Sequence, residues 1–306
     1  MRGLFMDASG DLVPSFRAVV RPDDPPVDLN EHADVPPATL PDLLRGYQFV
    51  LNDHSYMPTE IMASCTGLQH VIFLGTGARS YMDPEALAGF GITVHTIKGY
   101  GDVAVAEHAI ALMFAAARSI AAMDRGVRAG AWPRTDGMQL QGKRLGLLGF
   151  GGIAAEVARI AHGIGMEVLA YNRTPRQAEG VRFVPLDELL AASQVLSIHL
   201  LLNDETRGLL GATQLAQLPP GAILVNTARG AIVDEAALIA ALQSGQLGHA
   251  ALDVFDAEPL PAGHPLAAMG RVTLTAHSAF RTPEATATLI RRALDIACRV
   301  ARATSV

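Results

Sequence analysis

Short apolar runs alternate with segments of helical spacing through the second half of the chain. The runs predict strands at residues 145–148, 166–171, 181–184, 195–200, 222–226, 250–255 and 272–275. Helical patterns lie between them, as at residues 235–243, where Asp234 is a plausible N-cap and Gly245 a plausible stop. Strands that alternate with helices in this way predict an α/β fold with a doubly wound parallel sheet.

Residues 1–97 carry shorter apolar runs, separated by turns rich in proline and glycine. The runs lie at residues 16–20, 49–51, 71–74 and 92–95, and segments such as 84–89 predict short helices between them. Residues 21–41 are rich in proline and acid, which is typical of a surface loop. We therefore expect a first, smaller α/β domain. A final helix from Pro283 to about Ala303, with Thr282 as its cap, is expected to return to it.

The alanine-rich segment that begins at Asp102 predicts one long helix between the two domains. Asp102 can cap its start and Gly126 can end it. Its apolar surface suggests a subunit interface. The predicted domains are thus residues 1–97 plus 281–306, and residues 98–280.

Composition narrows the class of protein. Half of the 306 residues are hydrophobic, 18% are charged and the net charge is −6, with no basic cluster that would indicate a nucleic acid partner. No apolar run is long enough for a membrane span, and no signal peptide pattern is visible. The two cysteines give neither a disulfide framework nor metal-ligand spacing. We expect a cytoplasmic protein without membrane, nucleic acid or metal.

A glycine-rich turn follows the run at 145–148 and opens a helix: Gly149-Phe150-Gly151-Gly152-Ile153-Ala154. Between a strand and a helix, Gly-x-Gly-x-x-Gly/Ala indicates a dinucleotide site. Gly149 allows the turn, Gly151 lets the backbone approach a pyrophosphate, and Ala154 lets the helix pack on the strand. The unpaired N–H groups of the helix then bind the phosphate. The alternative is a turn with a purely structural role.

The end of the second strand bears on the choice of cofactor. Dinucleotide-binding folds that use NAD place an acidic residue there to bind the ribose 2′-hydroxyl. This chain has Asn172, which does not repel a 2′-phosphate, and then Arg173, which can pair with one. Thr174 and Arg176 can assist Arg173 in binding the 2′-phosphate. NADP is the preferred prediction and NAD the alternative, in which Arg173 stacks on adenine or lies in solvent.

Three polar residues follow apolar runs, where open α/β sheets bind ligands: Arg229, Glu258 and His277. Singly, an arginine in a turn is usually a solvated charge, and a lone histidine is more often structural than catalytic. Together, on one edge of one sheet, they indicate a site.

Several motifs in order resemble the D-isomer-specific 2-hydroxyacid dehydrogenases, most closely between residues 99 and 280. They are Val105-Ala106-Glu107-His108, the glycine turn, His199-Leu200 with Glu205-Thr206-Arg207-Gly208, Asn226-Thr227-Ala228-Arg229-Gly230, residues 253–260 and the segment at His277. The resemblance implies a Rossmann cofactor domain, a smaller flavodoxin-like substrate domain and a homodimer.

The resemblance also implies catalytic roles. Arg229 grips the carboxylate and 2-oxo oxygen of the substrate, His277 is the acid/base and Glu258 pairs with it. Each role has a physical reason, because hydride delivery to a ketone develops negative charge on oxygen, which a fixed guanidinium stabilises. Imidazolium suits proton delivery to that oxygen near neutral pH, and a neighbouring carboxylate favours the charged ring.

The implied binding residues fall into two sets. Those for the cofactor are Gly149, Gly151, Gly152, Ile153, Asn172, Arg173, Thr174, His199, Leu200, Thr206, Thr227, Ala228, Asp253 and Ala279. Those for the substrate are Arg229, His277 and the loop Thr76-Gly77-Ala78, whose alternative is a simple glycine-rich turn.

Some positions depart from the family pattern or stay open. Leu201 and Ala276 stand where proline is common, and Ala279-Phe280 stands where glycine is frequent, so that Phe280 is positioned to narrow the pocket. Arg79 either meets a second acidic group on the substrate or is a solvated surface arginine.

The expected function is reduction of a small 2-oxoacid, such as glyoxylate or hydroxypyruvate, to the D-2-hydroxyacid with NADPH. One alternative is an NAD(P)-sensing protein like the transcriptional corepressors that share the fold. A formate-dehydrogenase-like enzyme is disfavoured, because that relative pairs its histidine with glutamine where this chain has Glu258.

Overall fold

A computed structural model describes residues 1–10, 12–174 and 176–303. The chain divides into two compact units. One comprises Met1–Gly101 and the segment that starts at Arg281, and the other comprises Asp102–Phe280. Each unit is built on its own parallel sheet.

The first unit has five parallel strands in the order β2-β1-β3-β4-β5. They are β1 Gly3–Phe5, β2 Val27–Leu29, β3 Phe49–Asn52, β4 His70–Phe73 and β5 Thr93–Thr96. The helices are α1 Leu12–Val19, α2 Leu40–Leu43, α3 Thr59–Met62, α4 Pro84–Gly89 and α12 Pro283–Ala303, with 3-10 turns at Pro37–Thr39 and Ala78–Ser80. Two apolar clusters fill the faces of the sheet, one against α1 and α12 and the other against α2, α3 and α4.

Two predictions for this unit were wrong. The run at 16–20 lies in α1, where Val13 and Phe16, three residues apart, form the buried side of a helix. Residues 21–41 contain the short strand β2 and a helical turn. β2 pairs on one side only and is half-buried, and its three residues, Val27 to Leu29, are interrupted by Asp28 and too few to form an apolar run.

The second unit has seven parallel strands in the order β12-β11-β10-β9-β6-β7-β8. They are β6 Arg144–Leu148, β7 Glu167–Tyr171, β8 Val181–Phe183, β9 Val195–Ile198, β10 Ala222–Asn226, β11 Leu247–Leu252 and β12 Val272–Leu274. The helices are α5 Asp102–Ala117, α6 Ile120–Arg128, α7 Gly152–Gly163, α8 Leu186–Ala192, α9 Ala212–Gln217, α10 Glu235–Ser244 and α11 Pro265–Ala268. The predicted doubly wound parallel sheet is confirmed.

The strand order reverses at β6. The chain runs outward through β7 and β8 and returns to β9 on the other side of β6. In open α/β sheets, the crevice beyond the carboxyl ends of the strands at such a switch point is where ligands bind. The turn that follows β6 is the glycine turn of the sequence.

The single long helix predicted from Asp102 to Gly126 is wrong. It is two helices, α5 and α6, which meet at 64°. Ser119 takes the left-handed backbone conformation at φ 49° and breaks the run. Gly126 lies inside α6, where a Cβ would stand 2.5 Å from Pro133 Cγ, so this glycine allows close packing and does not end the helix. No single described helix is long and apolar enough to cross a membrane, although the bent α5–α6 pair passes that test when taken together.

The predicted helix ends of α10 and α12 are confirmed. The Asp234 carboxylate accepts a hydrogen bond from the N–H of Ala237, and Gly245 ends α10 at φ 81°. Thr282 Oγ1 accepts a hydrogen bond from the N–H of Ala285 at 3.2 Å. α12 packs on α1 and on the sheet of the first unit, as predicted for a helix that returns there.

Candidate active site

The glycine turn after β6 is shaped by its neighbour strand β9. Gly149 has φ 92°, and a Cβ there would stand 2.8 Å from the carbonyl oxygen of His199. The Gly149 N–H donates to the carbonyl of Tyr171 at 2.9 Å. Both the conformation and the close approach require glycine at this position.

The turn leads directly into α7, with Gly151 in extended conformation before its first residue. A Cβ on Gly151 would meet no atom within 4 Å, so the surface above it is open. The first N–H groups of a helix have no intrahelical partners and attract anions. Ile153 lies half-buried in that first turn, and Ala154 is fully buried against the sheet, the packing predicted for it.

Asn172 ends β7 and faces the same turn. Its Oδ1 accepts a hydrogen bond from the N–H of Phe150 at 3.2 Å, and its Nδ2 donates to the carbonyl of Thr174 at 2.6 Å. The exposed guanidinium of Arg173 pairs with the carboxylate of Glu205. Arg173 therefore stands where the sequence predicts a 2′-phosphate partner, but with a competing anion beside it. Pro175, which follows in the same stretch, lies outside the described residues.

The turn after β10 holds a buried hydroxyl without a partner. Thr227 Oγ1 is the one buried side-chain polar atom in the described part of the chain that makes no hydrogen bond. The neighbouring N–H of Ala228 is occupied by Asn226 Oδ1 at 3.0 Å. Because buried hydroxyls are normally hydrogen-bonded, Thr227 is suited to a bound molecule. With the open Gly151 and the first turn of α7, these groups fit a dinucleotide. The Asp102 carboxylate lies at the same turn, so close to Gly152 that a Cβ there would overlap it.

The loop after β9 carries His199, Leu200 and Thr206. His199 Nε2 lies 2.9 Å from Ser197 Oγ, and burial lowers the pKa of His199 to about 4, so the ring is neutral at pH 7. Thr206 Oγ1 donates to the carbonyl of Leu201 at 2.7 Å and accepts from the N–H of Asn203 at 2.8 Å. The Thr206 hydroxyl thus shapes this loop, while the Leu201 side chain is 77% exposed.

Arg229 is placed by the glycine that follows it. A Cβ on Gly230 would lie 2.0 Å from the carbonyl carbon of Phe255, so only glycine lets the turn after β10 contact the turn after β11. Arg229 is half-buried, and its Nη1 donates to the carbonyl of Ala228 at 2.7 Å. The contact brings the arginine turn against the segment that carries Glu258.

Glu258 and His277 form the hydrogen-bonded pair that the family resemblance implies. The His277 Nδ1 lies 2.6 Å from one carboxylate oxygen of Glu258, and the other oxygen accepts from the N–H of Phe255 at 2.9 Å. The two side chains are 38% and 33% exposed. The His277 ring packs edge-on against the Phe280 ring, with their centroids 6.3 Å apart. No described protein group forms a hydrogen bond with Nε2 of His277. This nitrogen is therefore available for proton transfer.

The backbone of His277 is held by Asp253. His277 has φ 48°, a left-handed conformation unusual for a residue with a side chain, and its N–H donates to the Asp253 carbonyl at 2.8 Å. The Asp253 carboxylate, fully buried, accepts from the hydroxyl of Thr275 at 2.5 Å and from the N–H groups of Ser278 and Ala279, each at 3.0 Å. The cofactor contacts predicted for Asp253 and Ala279 stay predictions.

His108 also reaches this network from α5. Its Nε2 lies 3.0 Å from Thr275 Oγ1 and 3.5 Å from Asp253 Oδ1. Burial would raise the pKa of Asp253, but hydrogen bonds from His108, Thr275 and two backbone N–H groups outweigh it and lower the pKa to about 2. Asp253 is thus an anion at every physiological pH.

Three more residues contribute at this edge, and the motifs that contain them do not predict their contacts: His108, Gly230 and Glu205. The steric need for glycine at position 230 is visible only when the turn after β10 and the turn after β11 are placed against each other. A charge of opposite sign in the next loop is a weak signal for Glu205.

In the first unit, the predicted substrate loop Thr76-Gly77-Ala78 follows β4 and enters a 3-10 turn. The backbone N–H groups of residues 76–79 make no hydrogen bond within the described residues. Consecutive free N–H groups of this kind can bind a carboxylate. Arg79 lies at the surface and pairs with Glu85, which favours the surface alternative for this side chain.

The model of the D-isomer specific 2-hydroxyacid dehydrogenase NAD binding domain matches residues 110–279. The D-3-phosphoglycerate dehydrogenase of Archaeoglobus fulgidus is 39% identical over 77% of this chain, but the match spans only 46% of that protein's length. The glycerate dehydrogenase of Methylorubrum extorquens is 32% identical over 92% of this chain and 91% of its own.

Among solved structures, the apo D-lactate dehydrogenase of Escherichia coli superposes with a TM-score of 0.88 at 26% identity. The match covers 99% of this chain and 98% of that one. Family model, sequence relatives and fold agree with one another, and the chain belongs to the D-isomer specific 2-hydroxyacid dehydrogenase family.

Proposed function

We propose that this protein reduces a small 2-oxoacid to the D-2-hydroxyacid with NADPH. The observation that carries the proposal is the 2.6 Å pair of His277 and Glu258 at the carboxyl edge of the sheet, with the Arg229 turn packed beside it. Glycerate dehydrogenase and D-lactate dehydrogenase, by their names, act on 2-hydroxyacids, which supports the substrate class.

Each of the three side chains has its own task. The reduced nicotinamide, when bound, supplies the hydride. Arg229 orients the carboxylate of the substrate and stabilises the negative charge that develops on its 2-oxo oxygen. His277 gives the proton on Nε2 to that oxygen. Glu258 accepts a hydrogen bond from the Nδ1–H of His277, which fixes the orientation of the ring.

The preference for NADPH rests on Asn172 and Arg173. Asn172 carries no charge, and its amide is oriented by the turn at Phe150. Arg173 offers a fork of N–H donors suited to phosphate. Its partner Glu205 is an exposed residue, so the ion pair is weak enough for a phosphate dianion to displace it.

The loop Thr76-Gly77-Ala78 is proposed to bind the substrate carboxylate. Its free N–H groups support this, since backbone donors hold carboxylates without a further charge. The pairing of Arg79 with Glu85 supports a substrate with a single acidic group.

We also propose a homodimer through α5, α6 and the segment after them. The surface there exposes several large apolar side chains: Val103, Phe114, Ile120, Val127 and Trp132. Clustered exposed apolar groups are typical of association surfaces. Sedimentation velocity of the purified protein tests this with a mass of about twice 32.2 kDa.

We propose a cytoplasmic location as well. The cysteines Cys65 and Cys298 are both free thiols, which is typical of proteins in a reducing compartment.

The proposed activity is tested by the oxidation of NADPH, and separately of NADH, against a panel that includes glyoxylate, hydroxypyruvate and pyruvate. The proposal expects turnover of at least one 2-oxoacid with a lower KM for NADPH than for NADH. Cofactor binding without turnover of any 2-oxoacid would favour the nucleotide-sensing alternative. A clear preference for NADH would contradict the cofactor assignment.

A further inference from the structure

The conformation of His277 requires external support. A left-handed backbone is unfavourable for a residue with a side chain and persists only where the surroundings enforce it. The enforcing group is Asp253, which holds the N–H of His277 with its carbonyl and the next two N–H groups with its carboxylate. The backbone that presents the imidazole therefore depends on the position of Asp253.

That carboxylate is in turn held by a two-step hydrogen-bond relay. Asp253 is ionised and can only accept, so the Thr275 hydroxyl donates its proton to Oδ1 at 2.5 Å. The Thr275 oxygen can then only accept from its second partner, which is His108 Nε2 at 3.0 Å. The direction of the relay fixes the proton of His108 on Nε2.

His108 is the one member of this relay outside the β11–β12 edge. It lies on α5, and its side chain is 26% exposed, whereas that of Asp253 is 1% exposed. α5 packs against β10, β11 and β12 within the same unit. The hydrogen bond therefore ties the catalytic edge to a helix of the core.

We propose that His108 is a positioning residue, which holds the Thr275–Asp253 pair and through it the backbone that presents His277. Its catalytic consequence rests on the function proposed above. The expected effect is on the rate and not on cofactor binding, because a displaced catalytic group lowers turnover while the glycine turn stays intact.

The test compares His108→Ala with His108→Gln, since the glutamine amide can donate from nearly the position of Nε2. Hydrogen exchange of the Ser278 and Ala279 amides, followed by mass spectrometry without substrate, reads the loop directly. We expect faster exchange and a fall in kcat of about 10- to 100-fold in His108→Ala, with an unchanged Kd for NADPH. We expect restoration of both properties in His108→Gln.

The chain offers a matched control. His249 Nε2 on β11 and Thr273 Oγ1 on β12 form another histidine–threonine pair at 2.9 Å, which does not include Asp253. Thr273→Val should leave exchange at Ser278 and Ala279 and the kcat unchanged, whereas Thr275→Val should reproduce His108→Ala.

The proposal would be overturned if His108→Ala kept the wild-type hydrogen exchange at Ser278 and Ala279 and the wild-type kcat. It would also be overturned if His108→Gln restored neither property. Altered exchange in a protein that reduces no 2-oxoacid would support the positioning role and refute only the enzymatic function.

Discussion

At the scale of single residues, the edge of the sheet that carries Glu258 and His277 is an arrangement of fixed donors and acceptors. Glu258 bonds His277 with one carboxylate oxygen and a backbone N–H with the other. Asp253 fixes the backbone on either side of the histidine. Groups held in this way need little reorganisation when charge develops on a substrate.

Arg229, Glu258 and His277 could be found from the sequence because each follows an apolar run. The carboxyl ends of parallel strands meet at one edge, so position along the chain predicts proximity. Backbone conformation has no such signature. Nothing around His277 in the sequence indicates φ 48°, and nothing connects His108 with Thr275, which lies 167 residues later.

Glu205 gives a prediction about cofactor choice. Glu205→Gln removes the anion that competes for Arg173, and it also removes repulsion of a 2′-phosphate. We expect the Kd for NADPH to fall by about 3- to 10-fold while the Kd for NADH stays within about 2-fold, on the scale of exposed ion pairs. Fluorescence titration of each cofactor measures this. Glu188→Gln, which breaks the exposed Arg182–Glu188 pair, is the control. Equal changes for NADPH and NADH would contradict the proposed role of Arg173.

At the scale of elements, the long alternation of strands and helices predicted the second unit well. Short, half-exposed strands and turns were predicted poorly. Central strands such as β10 follow the predicted runs because burial on both faces makes them nearly continuously apolar. β1 is also buried, but a strand of three residues is too short to be recognised as an apolar run in the sequence. The break between α5 and α6 at Ser119 was not predicted, because the alanine-rich sequence on both sides of it favours helix.

The glycine turn gives a prediction at this scale. Gly149→Ala places a Cβ 2.8 Å from the backbone of His199 and forces a side chain into φ 92°. We expect the Kd for NADPH to rise by at least about 10-fold, because the turn and the start of α7 must shift.

Gly163→Ala is the matched control, since Gly163 ends α7 and a Cβ there meets nothing within 4 Å. It should bind NADPH as the wild type does. Isothermal titration calorimetry measures both variants. Unchanged affinity in Gly149→Ala would mean that the cofactor does not depend on this turn.

At the scale of the whole molecule, buried neutral histidines couple stability to pH. Burial, with smaller contributions from Arg125 and Arg271, lowers the pKa of His249 to about 4 from its ordinary 6.5, and His249 is 5% exposed. The unfolded chain therefore binds this proton first as pH falls. Stability from this group is complete above pH 6.5 and is lost progressively down to about pH 4.

His249→Gln keeps a donor for Thr273 but removes the titration. We expect the loss of unfolding free energy between pH 6.5 and pH 5 to be smaller than in the wild type by about 2 kcal/mol. Urea unfolding at each pH measures the difference. The same slope in His249→Gln as in the wild type would contradict the assignment of a neutral buried ring.

The central claim is that His277 gives its proton to a ketone in a protein that binds NADPH. The direct measurement is the rate of NADPH oxidation with the best 2-oxoacid of the panel, in the wild type and in His277→Ala, beside the Kd for NADPH from fluorescence titration. The account predicts a fall in rate of about 10²- to 10⁴-fold with little change in Kd. Wild-type turnover in His277→Ala would contradict it.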